Sequence, residues 1–172
     1  MSKQKRMLQA SDKPTLHLMP YGKRLIAADM YAKSRGFIHA AILLSKAKGD
    51  AHVELHLYCQ GLEITLKAVL LQIDFDKYQP MLKQGFGHNI SKLALEANSI
   101  SKRRPLSRSL RAELLQLSNL YKATVLRYAG MFTMLVAPET IPTRRVMRMM
   151  QAMVMGIKTD FVQTASPGSQ VL

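Results

Sequence analysis

Four side chains with ligand or acid–base chemistry follow one another closely: His52, His56, Cys59 and Glu63, at i, i+4, i+7 and i+11. On a helix that spacing puts all four on one side. Two histidines four apart can share a metal ion, and thiolate and carboxylate are competent further ligands. Along one straight helix, however, the four span about three turns, roughly 16 Å, too long for a single ion. At most His52, His56 and Cys59 could converge, and no glutamate holds the zinc-protease position relative to them. A semi-polar stripe against a neighbouring helix or a second copy is the simpler reading. No metal and no cofactor are expected.

Glu63 is also followed by Lys67, an i, i+4 pair in the favourable order. The residues around them are so apolar that the pair should be partly buried, and a buried charge needs a partner. The structural expectation is a mutual ion pair with His88 near it. The functional expectation is a small polar pocket of Glu63, Lys67, His88, Arg127 and Tyr128, in which Lys67 meets a phosphate. The structural one is preferred.

A different chemistry comes from charge. Lys and Arg number 25 and Asp and Glu 11, a net charge of +14. Such a field attracts nucleic acid, nucleotides, acidic proteins or anionic surfaces. Lys102, Arg103, Arg104, Arg108 and Arg111 run without an acid between Glu96 and Glu113, on a loop entering a helix, where backbone N–H groups add affinity for anions. Arg144, Arg145 and Arg148 open a last helix. Lys3, Lys5, Arg6 and Lys13 form a third cluster. Aromatic residues are only 6%, so base stacking should be minor and sequence specificity low. Gly85 and Gly87 lack the rest of either nucleotide-loop fingerprint.

The elements that must position these groups are helices. A chain of 172 residues, 48% hydrophobic, can bury a core as one domain. The lone Cys59 permits no internal disulfide and suits a reducing, cytoplasmic setting. No apolar run is long enough to cross a membrane. Residues 1–19 read as a mobile basic arm, 20–164 as the bundle and 165–172 as a flexible tail. Pro20 suits the first turn of a helix reaching Lys48, with Gly36 a weak point inside it. Asp50 caps a second helix over about 51–73, apolar on most faces and so central to the bundle. Asp74, Asp76 and Pro80 break the pattern. Gly85 and Gly87 form a turn before His88. A short helix then carries Ile90, Leu93, Leu95 and Ala97. Residues 98–109 read as a loop, with Ser107 or Ser109 capping the next helix. That helix has the cleanest stripe: Leu110, Leu114, Leu117, Tyr121, Val125 and Tyr128, ended by Gly130. Pro138 and Pro142 bound an apolar loop, and a last helix runs over about 142–163. The fold class is all-α, an up-and-down bundle of about five helices.

Three pieces of sequence resemble one family. The first is Tyr58 through Leu71, in which a small or apolar pair precedes Glu63 and Leu66-Lys67-Ala68 follows. The second is Gly87-His88 followed by Ile90 and Leu93. The third is Leu117 through Tyr121, then Arg127-Tyr128, with prolines before a last helix. In order and spacing they are similar to the HEPN domain (higher eukaryotes and prokaryotes nucleotide-binding), over roughly residues 25 to 163. The resemblance implies a helical bundle that dimerises with itself and works with nucleic acid or nucleotides.

The chain departs from that family's ribonucleases, which carry Arg, four to six residues, then His, late in the domain. The histidines here are His17, His39, His52, His56 and His88, and none is so preceded. Arg35 and His39 have only three residues between them, and Arg127 has no histidine after it. RNA cleavage through the 2′-hydroxyl is helped by a group titrating near neutrality, which histidine supplies best. The expectation is a module that is not an enzyme, a homodimer that binds nucleic acid, nucleotide or an acidic protein through basic surfaces. The alternatives are a ribonuclease or toxin-type RNA-processing enzyme with an atypical site, and a purely protein-binding module.

Overall fold

The computed structural model describes residues 19–100, 106–123, 126 and 148. Every regular element among them is helical, and the protein is an all-α bundle. The expected basic arm, the tail, the apolar loop and the last helix lie outside the described residues, save Arg148, which is helical and exposed.

Helix α1 runs Pro20–Lys46. Pro20 stands in its first turn, where its missing N–H leaves no bond unmade. The helix ends through two crossed bonds: Gly49 N–H donates to Leu44 O at 3.0 Å and Lys48 N–H to Ser45 O at 3.1 Å. This is a Schellman closure. Its left-handed residue is Lys48, at φ 54°, rather than the adjacent glycine. Gly36, in mid-helix, costs roughly 0.5–1 kcal/mol relative to alanine. No packing among the described residues requires it: a Cβ there would meet none of them within 4 Å.

Helix α2, Ala51–Ile73, is capped by Asp50, whose carboxylate accepts from His52 N–H and Val53 N–H at 2.8 and 2.9 Å. It is the central element and packs against α1 and each of the three helices that follow it. Leu55, Leu62, Leu66, Val69, Leu70 and Leu71 are all buried, as near-continuous apolarity predicts. The α1–α2 crossing is close at Gly61, where a Cβ would stand 2.7 Å from Ile38 Cγ1 and 3.1 Å from Ser34 O. Beside it, the Ser34 and Thr65 hydroxyls lie 2.9 Å apart and share their two protons with each other and the carbonyls of Tyr31 and Gly61.

The expected break over Asp74–Pro80 is instead helix α3, Phe75–Met81, followed by a π-helical turn over Leu82–Phe86. Asp74 ends α2 and caps α3, accepting from Lys77 N–H at 3.0 Å. A cap and a breaker use the same residue type, so the sequence pattern alone misleads here. The wide turn closes with Gly87 N–H on Leu82 O at 3.2 Å, and Gly87 takes φ 52°.

Helix α4 is Ile90–Ile100 and α5 is Arg108–Lys122. The loop between them is therefore shorter than expected: Asn98–Ile100 finish α4, and Arg108 and Ser109 begin α5. Ser107 is the cap, accepting from Leu110 N–H at 3.2 Å. Leu114, Leu117 and Tyr121 are buried as their spacing predicts, but Leu95 is exposed. Helix α5 closes at Ala123, ahead of Val125 and Tyr128.

Candidate functional site

Glu63 is the centre of a polar cluster inside the bundle. It sits midway along α2, and its side chain is only 4% exposed. Lys67 Nζ, one turn on, donates to Oε1 at 2.6 Å. His88, placed by the turn at Gly87, has Nδ1 2.9 Å from Oε2. The Tyr121 hydroxyl, from α5, bridges Gln60 Oε1 at 2.5 Å and the Glu63 carboxylate, its one proton satisfying one at a time. Three parts of the chain thus meet on one carboxyl group.

Burial pushes the Glu63 carboxyl up, toward its neutral form. Hydrogen bonds from Lys67, His88 and Tyr121, with the Lys67 charge, outweigh this and hold it below the usual carboxylate range. Glu63 is therefore an anion, able only to accept. It fixes His88 with Nδ1–H as donor, leaving Nε2 the basic nitrogen of the neutral ring. The His88 side chain is 53% exposed, so the imidazole faces both the cluster and solvent. The ring stands edge-to-face with Tyr121, with centroids 5.9 Å apart at 85°. His56 also packs on the Tyr121 ring, with centroids 5.7 Å apart at 37°.

The residues expected to converge do so for Glu63, Lys67 and His88; Arg127 and Tyr128 lie outside the described residues. The Lys67 charge is spent on Glu63, which leaves the pair neutral. The pair itself lies within α2, and it is His88 and Tyr121 that join the Glu63 carboxylate to other parts of the bundle. Gln60 and Tyr121 belong to the cluster and were not anticipated. A tyrosine in an otherwise apolar stripe was their one signal, since a buried phenol needs a partner for its hydroxyl.

The stripe His52, His56, Cys59 and Glu63 does not assemble a metal centre: no cluster of three suitable ligands exists among the described residues. Cys59 is fully buried, and burial, with the Glu63 charge nearby, pushes its thiol well up, so it stays protonated. A metal needs the thiolate.

Of the basic residues, Arg108 and Arg111 lie exposed in the first turn of α5, which carries no acid. Arg111 Nε donates to Leu106 O at 3.0 Å, which pins the guanidinium beside the helix start. Neither makes an ion pair among the described residues. Lys102, Arg103, Arg104, Arg144 and Arg145 lie outside those residues. The acids are concentrated within the described region, which holds eight of the 11 but only 14 of the 25 Lys and Arg. Several of its cations are neutralised there: Lys23 by Asp76, Lys33 by Asp29, Lys67 by Glu63 and Lys77 by Glu96.

No helix among the described residues is long and apolar enough to cross a membrane. Comparison with family models, with characterised proteins and with solved structures finds no match for this chain.

Proposed function

We propose that this protein is a non-catalytic helical module that binds nucleic acid through its phosphates. The observation that carries this reading is the placement of charge at the start of α5. Arg108 and Arg111 stand where the helix dipole is positive, in a turn that carries no acid of its own, with Lys102, Arg103 and Arg104 just ahead in sequence. Cations at a helix N-terminus are disfavoured by a few tenths of a kcal/mol each. A bound polyanion reverses that sign, because phosphate is favoured by the same dipole and by the exposed N–H groups.

Binding of this kind releases counterions, so affinity falls steeply with salt. The test is fluorescence anisotropy of a labelled single-stranded oligonucleotide against salt concentration. A steep negative slope is expected, and Arg108→Ser or Arg111→Ser should each lower its magnitude by about 1. A flat slope removes the mechanism. No thermal shift with nucleic acid at low salt would favour an acidic protein partner instead.

One observation favours the enzyme reading as the alternative. His88 is oriented by a carboxylate and half exposed, which is how a general base is held. Labelled RNA incubated with the pure protein separates the two: cleavage that disappears in both His88→Ala and Arg127→Ala makes it an enzyme, and intact RNA keeps it a binding module.

A further inference from the structure

Helix α1 has two sides that carry apolar residues, and α2 covers only one. Ala27, Tyr31, Ser34 and Ala41 are buried on the inner side. The outer side carries Leu25, Asp29, Ala32, Gly36, His39 and Leu43, spaced four, three, four, three and four residues apart, and all six are exposed. Leu25 is 56% exposed and Leu43 66%. Single exposed leucines need no explanation. These fall on one line with a 3.5-residue repeat, the spacing of a helix–helix seam. Gly36, which no packing among the described residues requires, lies on that line.

The line is also symmetric in sequence about Ser34. Leu25 and Leu43 are equally far from it, as are Asp29 and His39, and Ala32 and Gly36. In an antiparallel two-fold pair of α1 helices, Leu25 of each copy faces Leu43 of the other. Asp29 faces His39, an acceptor against a donor. Asp29 also holds Lys33 at 2.8 Å through Oδ2, and its side chain stays 59% exposed. Ala32 faces Gly36 at the centre, where two helices approach most closely and small side chains allow the shorter end of the roughly 8–10 Å range of axial separations. A parallel pair would instead set Asp29 against Asp29 and His39 against His39.

We propose that the outer face of α1 docks a second copy of this chain, antiparallel, about a two-fold axis level with Ser34. Such an interface is isologous and closes at two copies. The match of apolar ends, opposite polar partners and small centre singles out the chain itself as occupant.

The experiment is sedimentation equilibrium of the full chain across a concentration series. The wild type is expected to dimerise, and Leu25→Glu and Leu43→Lys are each expected to weaken the dimer at least tenfold. Combining them in one chain is expected to recover it, because every introduced glutamate then faces an introduced lysine. Gly36→Leu is expected to give a monomer with unchanged or higher helicity and Tm, which separates lost docking from lost folding. A wild type that stays monomeric, a dimer indifferent to these variants, or a double variant no better than the singles overturns the proposal.

Discussion

Glu63 and Asp76 each hold a lysine ammonium at 2.6 Å, yet the two contacts sit in different media. Glu63 is 4% exposed and is held from α2, α5 and the turn before α4, while Asp76 is 78% exposed and is paired, among the described residues, with Lys23. Distance is the same, so distance does not set what the pairs contribute. Water competes for Asp76 at little loss and screens its charge. Around Glu63 there is little water to replace a lost partner, and each missing group leaves another buried and unsatisfied. The inner pair, with His88 and Tyr121 on the same carboxylate, specifies how three parts of the chain meet, and the outer pair joins α1 to α3 at the surface.

The largest effect expected is from Glu63→Ala, which strands Lys67 and His88 together. It should lower unfolding free energy by about 3 kcal/mol in a urea titration; a loss under about 1 kcal/mol would put the two pairs in the same class. Acid should act on the same group. The folded-state carboxyl of Glu63 titrates below its ordinary value, so its contribution is complete above the unfolded-state value of about 4.3 and is lost as pH falls through the depressed one. Urea midpoints should therefore drop as pH is lowered below about 4.3, and Glu63→Gln should flatten that limb. Replacing both partners, in Glu63→Leu with Lys67→Met, should return to within about 1–2 kcal/mol of wild type, because no charge is left alone. Smallest of all, Asp76→Ala should change stability by less than about 1 kcal/mol, and the difference should vanish in 1 M salt.

The inner cluster was half legible in the sequence. Helical periodicity fixes that Glu63 and Lys67 are neighbours, and the apolar residues around them imply burial and hence pairing. Helix spacing says nothing about a partner many residues away, so Gln60 with Tyr121 could not be read. His88 was reachable only because Gly87 marks a turn that must aim it somewhere. The helices themselves followed from apolar repeats and caps. The exceptions are physical as well: Asp74 serves two helix ends at once, and Lys48, a residue with a Cβ, takes the left-handed backbone that closes α1. The basic surface is plain in composition, but composition does not say which arginines stand together. Of the eight named, the structure places Arg108 and Arg111 on one helix turn and Arg148 in a helix.

Cys59 has a practical consequence. Its sulfur is enclosed between helices and keeps its proton, so neither air nor a small disulfide reagent should modify the native protein. When the bundle opens, the sulfur meets solvent and reacts at once. The chain therefore carries its own stopwatch: the rate at which Ellman's reagent turns yellow reports how often the interior is laid open, with no dye or label attached.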